Sequence, residues 1–144
     1  EFISQQPNLT MEFVKSHLNW KCNWGCLSRH PNVTMEFVKA NPNLPWHWKQ
    51  LSQYLKFTLE FLQANFDELP WDWVGLSFNP ILTMEFIQSN IEEPWDWKGL
   101  SSHPNLTMEF VQTHIKKPWD WFWLSMNKKI PEEFINANRP NSFN

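Results

Sequence analysis

A threonine, a glutamate two residues later and a phenylalanine directly after it return along this 144-residue chain with a nearly fixed period. The set occurs at Thr10, Glu12 and Phe13, then at Thr34, Glu36 and Phe37, Thr58, Glu60 and Phe61, Thr83, Glu85 and Phe86, and Thr107, Glu109 and Phe110, with Pro131, Glu133 and Phe134 as a sixth copy. Successive threonine positions lie 24, 24, 25, 24 and 24 residues apart, and the second half of a copy carries Pro-Trp-Asp-Trp-x-x-Leu-Ser, as in residues 94–101. Such a period marks a repeat architecture, in which one supersecondary unit cannot bury its apolar face alone and neighbouring units stack to do so. The repeats run over 10–33, 34–57, 58–82, 83–106 and 107–130, with partial repeats at 1–9 and 131–144. The extra residue falls between Asn65 and Pro70, where Phe66-Asp67-Glu68-Leu69 replaces a three-residue link, and reads as a loop insertion.

The first half of a copy, such as residues 83–90, places apolar side chains at offsets 1, 4 and 8 and phenylalanine at offset 3, the spacing of a helix of about two turns. Threonine suits its cap and Pro131 suits a first helical residue, so the start is defined to within one place. The glutamate then lies in the first turn, facing the positive end of the helix dipole. Asn41, Asn65, Asn90 and Asn138 at offset 7 suit a left-handed residue that stops the helix. A second short helix is expected to begin at Pro45, Pro70, Pro94 and Pro118, because proline fits the first helical position and Trp and Leu three apart share a face. The links containing Pro7, Pro31, Pro80 and Pro104 then break it. The expected fold is therefore all-α: about six stacked 24-residue helical hairpins in a single α-solenoid domain over 1–144. Residue pattern at both ends falls in mid-repeat, as expected of an excerpt from a longer array.

Eleven tryptophans stand among these 144 residues, with one tyrosine and three glycines. A buried tryptophan covers up to about 250 Å², so aromatic burial at roughly 25 cal/mol per Å² is the expected source of cohesion between copies. No apolar run approaches the roughly 18 residues of a membrane helix, and two cysteines without a basic-then-apolar leader argue against a disulfide scaffold or a secretory signal. A phosphate-cradling glycine loop, a nucleophile elbow and a paired metal-binding histidine motif are all missing from the sequence, so no enzyme and no cofactor are expected.

The unit Asn-Pro-Asn-Leu-Thr-Met-Glu-Phe followed by Lys-Pro-Trp-Asp-Trp-x-x-Leu-Ser resembles the Trp-rich tandem repeats in proteins of giant nucleocytoplasmic DNA viruses, and residues 107–125 carry most of the pattern. The resemblance implies neither an enzymatic activity nor a ligand; it implies a viral origin, with the protein in the host cytoplasm or the virion. Departures concentrate where Lys21 and Cys22 replace Pro and Trp, and where Gln53-Tyr54-Leu55-Lys56 replaces the proline link.

Candidate binding residues follow from what the repeat does not need. Asp72, Asp96 and Asp120 between the paired tryptophans either form a row of carboxylates for a ligand or answer the helix dipole. Trp20, Phe122 and Trp123 lie outside the regular tryptophan pair and are the best candidates for an aromatic groove that takes carbohydrate or proline-rich peptide. His17, Cys22, Cys26 and His30 are of the types that ligate zinc, but their spacing matches no standard site and buried reduced cysteines are the plainer reading. The sequons at Asn8, Asn32 and Asn105 arise from the turn-and-cap chemistry of the repeat. A repeat that reads nucleic acid base by base would need a continuous basic track. Residues 59–115 instead hold one basic and nine acidic side chains, against six and three in 1–58 and five and three in 116–144. The expectation is a protein-binding or scaffolding module with an unidentified protein partner, no membrane and no nucleic acid, a virion structural part being a further form of it.

Overall fold

A computed structural model describes residues 8–17 and 23–140, and within them eleven short helices and no strand. Ile3, Ser4, Pro7, Trp20, Lys21 and Cys22 lie outside the described residues. The helices alternate in kind. An A helix follows each threonine: α1 (Met11–Ser16), α3 (Met35–Ala40), α5 (Leu59–Ala64), α7 (Met84–Ser89) and α9 (Met108–Thr113), with α11 (Glu132–Asn138) after Pro131. A B helix begins at the second tryptophan of each pair, or at Trp24 where Cys22 stands for the first: α2 (Trp24–Leu27), α4 (Trp48–Tyr54), α6 (Trp73–Phe78), α8 (Trp97–Ser101) and α10 (Trp121–Met126). The expected all-α class of repeated helical hairpins is what the chain adopts, arranged as two compact units, 1–76 and 77–144.

Each A helix starts the same way. Thr10, Thr34, Thr58, Thr83 and Thr107 are extended N-caps whose hydroxyls accept the backbone N–H of Phe13, Phe37, Phe61, Phe86 and Phe110 at 3.0–3.2 Å. Satisfying one of the orphan amides of a two-turn helix in this way contributes about 1 kcal/mol, a large share for so short an element. Pro131 occupies the cap itself, with φ −64 and ψ 143, and α11 begins one residue later without a side-chain cap.

The helix ends correct one expectation. No described non-glycine residue has positive φ. Asn41, Asn65 and Asn90 end their helices at φ between −129 and −118. Their amides instead turn back, Nδ2 donating to the carbonyls of Phe37, Phe61 and Phe86 at 2.8–2.9 Å, as Asn138 does to Phe134. His17 and His114 do the same through Nδ1, to Phe13 and Phe110. Meanwhile the indole N–H groups of Trp46, Trp71, Trp95 and Trp119 donate to the carbonyls of the same C-cap residues, Asn41, Asn65, Asn90 and His114, at 2.8–3.1 Å. With these carbonyls and the preceding turn satisfied by side chains, a left-handed turn is unnecessary.

The B helices correct a second. They begin at the second tryptophan of each pair, three residues after the proline. Pro-Trp is a tight turn in which the N–H of Trp46, Trp71, Trp95 and Trp119 bonds the carbonyl two residues back, at Leu44, Leu69, Glu93 and Lys117. The residue between the tryptophans is the N-cap, held from the preceding copy: the hydroxyls of Ser28, Ser52, Ser77 and Ser101 accept the backbone N–H of His47, Asp72, Asp96 and Asp120 at 2.9–3.0 Å. This contact, 19 or 20 residues distant in sequence, fixes the helix start where local propensity would have put it at the proline.

Within the first unit, Val14, Val38 and Leu62 of the A helices and Leu27, Leu51 and Leu76 of the B helices are almost wholly enclosed, and Trp46 and Trp71 are buried with them. Within the second, Ile87, Val111, Leu100 and Leu124 are wholly enclosed, and Trp95 and Trp119 are buried. Each first tryptophan receives the edge of its own A-helix phenylalanine, as in Phe37–Trp46 and Phe110–Trp119 at 6.0 and 6.2 Å. Trp46, Trp71 and Trp119 also receive the second-position tryptophan of the copy before, Trp24, Trp48 and Trp97, at 5.1, 5.9 and 5.0 Å. Such T-shaped pairs add to area burial by about 0.5–1.5 kcal/mol each.

Candidate functional site

The residues singled out by sequence separate into those the fold uses and those it leaves outward. Asp72 and Asp120 are half-buried N-caps, their carboxylates accepting the N–H of Gly75 at 2.8 Å and of Trp123 at 3.1 Å. Asp96 caps α8 without a side-chain bond. The three carboxylates thus share one position at the mouth of each B helix, two of them engaged there.

Of the proposed zinc ligands, Cys22 is outside the described residues, and Cys26 is a half-buried free thiol on α2. His17 is stacked on Phe13 at 3.9 Å while its Nδ1 holds the Phe13 carbonyl. His30 is buried, its Nδ1 accepting the backbone N–H of Asn32. Among the described residues no three of His, Cys, Asp and Glu come together as metal ligands.

His30 belongs to a column of the repeat that sequence spacing did not interpret. At the equivalent places Asn79 and Asn127 accept the N–H of Ile81 and Lys129 through Oδ1, and His103 accepts that of Asn105 through Nδ1. Imidazole Nδ1 and amide Oδ1 thus serve as one acceptor two residues before the amide. His103 adds a bond between copies, Nε2–H donating to the Asn79 carbonyl at 2.8 Å, so the ring is the neutral Nε2–H tautomer that both partners require. Asn105 completes this joint: its Nδ2 donates to the carbonyls of Leu82 and Pro80, and Asn32 reaches Leu9 likewise. These sequon asparagines hold neighbouring copies together.

Burial lowers the pKa of His103 below 6.5; the Asn79 carbonyl acts against this and the Lys129 ammonium adds to it. A histidine lowered in the folded state binds fewer protons than the unfolded chain does, so its contribution is full above about pH 6.5 and is lost as pH falls below it. The His103→Asn variant, which retains the acceptor that Asn79 and Asn127 supply, is expected to lose less stability than the wild type between pH 7 and 5. Melting temperatures at each pH check this; parallel pH profiles for the two proteins would contradict it.

Phe122 and Trp123 lie elsewhere. They are 58% and 41% exposed on α10, and Met126, one turn on, is 65% exposed. Sequence spacing flagged the first two because they break the repeat, and passed over Met126, whose column holds Arg29, Gln53, Phe78 and Ser102 and shows no rule to break. Trp123 stands in the column of Gly75 and Gly99. At Gly75 the previous B helix approaches so closely that an added Cβ would lie 2.4 Å from the Lys49 carbonyl oxygen. An indole cannot follow glycine into that contact, and Trp123 borders a hollow of about 360 Å³ with Met126, His103, Pro104, Asn127 and Lys128. The Phe122 and Trp123 rings meet edge to face, 5.4 Å apart at 80°.

Two other concavities lie among the described residues. One, also about 360 Å³, lies where Tyr54 and Lys56 replace the proline link, and Arg29 covers the Tyr54 ring at 5.7 Å. The other runs between α7 and α9 past Glu85, Glu109 and His114. Among the described residues no helix is long and apolar enough to cross a membrane. Comparison with family models, curated proteins and solved structures finds no match to this chain.

Proposed function

We propose that this chain is a non-enzymatic protein-binding or scaffolding module and that α10 carries its contact surface. The observation behind this reading is the adjacent exposure of Phe122, Trp123 and Met126 on one short helix, where α8 carries Lys98, Gly99 and Ser102. Helix α8 thus forms with polar or absent side chains at the three positions that are apolar in α10. An exposed indole and thioether bordering a hollow, with an exposed phenyl ring beside the indole and Lys128 at the rim, are the composition of an interface anchor. The edge-to-face rings present no single flat platform for a sugar, which favours a protein over a carbohydrate, and the acidic stretch 59–115 disfavours a phosphate backbone. With the repeat resemblance, the module belongs to a giant DNA virus and acts in the host cytoplasm or the virion.

Replacing the three residues by those of α8, as Phe122→Lys, Trp123→Gly and Met126→Ser together, keeps the repeat pattern and removes the patch. Immobilised wild-type chain is expected to retain protein from infected-cell or virion extract, and the triple variant, with unchanged helical circular dichroism, to lose it. Equal retention by both, or retention of glycan or nucleic acid instead of protein, would overturn the reading.

A further inference from the structure

We infer that the hollow beside Tyr54 and Lys56 is a second binding site, and that it takes the carboxamide of an asparagine or glutamine side chain from a protein partner. It shares no residue with the surface proposed on α10, and neither reading needs the other. At other joints a side chain of the later link is tied to a carbonyl of the earlier one. Asn105 Nδ2 donates to Pro80 and Leu82 at 3.0 and 2.7 Å, Asn32 Nδ2 to Leu9 at 2.6 Å, and Lys129 Nζ to Pro104 at 2.7 Å. In that column the link after α4 carries Lys56, and in the column of His30 and His103 it carries Tyr54. Neither closes the joint. Tyr54 is 52% exposed, with the Arg29 guanidinium 5.7 Å from its ring, and Lys56 is exposed. Among the described residues none donates to the carbonyls of Pro31 and Val33, the counterparts of Pro80 and Leu82. The hollow of about 360 Å³ lies at this joint, and Pro31, Val33, Tyr54 and Lys56 all line it.

The walls select the occupant. One nitrogen of Asn105 serves both the Pro80 and the Leu82 carbonyl, so the paired acceptors of this link suit a single group with at least two protons to give. A backbone N–H brings only one. An ammonium group has enough, but Arg29 and Lys56 set two cations on the walls against the one carboxylate of Glu36 and repel it. A carboxylate answers those cations and has no proton to donate. A carboxamide meets both demands: its nitrogen carries two donors for Pro31 and Val33, and its oxygen accepts from Arg29 or Lys56.

Amide NMR of the full nitrogen-15-labelled chain, titrated with the capped tripeptide acetyl-Pro-Asn-Leu-N-methylamide, tests this; the tripeptide is the sequence of residues 104–106. Resonances within 29–36 and 54–56 are expected to shift. The same peptide with aspartate or lysine in place of asparagine is expected to bind at least tenfold more weakly, the first for want of a donor and the second through repulsion. The double variant Tyr54→His, Lys56→Asn restores the residues of a closed joint, so its own amide takes the two carbonyls, and it is expected to bind the asparagine peptide at least tenfold more weakly than the wild type. Should the double variant lose its helical circular dichroism, Lys56→Asn alone, at an exposed site, takes its place with the same expected weakening. A wild type without shifts in those two segments, an aspartate or lysine peptide that binds as tightly as the asparagine peptide, or a restored joint that binds as well as the wild type would overturn the inference.

Discussion

Gly75→Ala is expected to lower stability by about 2 kcal/mol, while Gly99→Ala stays within about 0.5 kcal/mol of the wild type. Both glycines lie inside short B helices, where alanine gains close to 1 kcal/mol in helix propensity. Their surroundings decide the outcome. A Cβ at Gly75 would lie 2.4 Å from the Lys49 carbonyl oxygen and 3.2 Å from its carbon, part of the α4 backbone, which can yield only if the helix moves. Overpacking of that kind costs about 1–3 kcal/mol and occasionally more, enough to outweigh the propensity gain. At Gly99 the nearest atoms belong to the Phe78 ring, at 3.0 and 3.1 Å, and that ring is 37% exposed and free to shift outward. Urea unfolding midpoints of the two variants check the contrast; equal losses would show that the B helices do not approach one another as described.

Trp95→Ala is expected to cost about 3–5 kcal/mol, and Trp123→Ala less than about 0.5 kcal/mol. Trp95 is 4% exposed, donates its indole N–H to the Asn90 carbonyl at 2.8 Å and receives the edge of Phe86. Its removal leaves a cavity and takes the indole bond from the end of α7, where the Asn90 carbonyl keeps only the Glu93 N–H. Trp123 is 41% exposed, and its column is filled by glycine in two other copies. Thermal unfolding of both variants separates the two roles. A large loss at Trp123 would make it part of the core and remove the principal ground for the binding surface.

Much of this fold is legible in one sequence because six copies sample the A-helix positions and five the B-helix positions. The threonine caps, the first-turn glutamates and the buried leucines and valines stand out as columns, and the caps and glutamates work locally, within one turn. The B-helix start was illegible for a definite reason. Pro-Trp-Asp-Trp carries two start signals, proline for a first helical residue and aspartate for a cap, and the choice is made by a serine in the preceding copy. Asn41, Asn65 and Asn90 are ambiguous in the same way, since asparagine both tolerates left-handed backbone and bonds back through its amide; the indole N–H that helps close these helix ends comes from five or six residues beyond. The equivalence of His103 with Asn79 and Asn127 was visible as a column, but its meaning, one acceptor supplied by two side chains, required coordinates. On the candidate surface, Phe122 and Trp123 declared themselves by breaking a pattern and Met126 did not, because its column has none.

The central claim is a division of the tryptophans: the first of each pair, Trp46, Trp71, Trp95 and Trp119, are interior struts, and Trp123 is presented to a partner. Fluorine NMR of the chain labelled with 5-fluorotryptophan, assigned by single Trp→Phe variants and titrated with a soluble paramagnetic probe, measures the access of each ring directly. The resonance of Trp123 is expected to broaden first and to be protected when the partner protein binds, while those of Trp46, Trp71, Trp95 and Trp119 remain sharp. Broadening of the four first tryptophans to the same degree as Trp123, or a Trp123 resonance that the probe does not reach, would contradict that division.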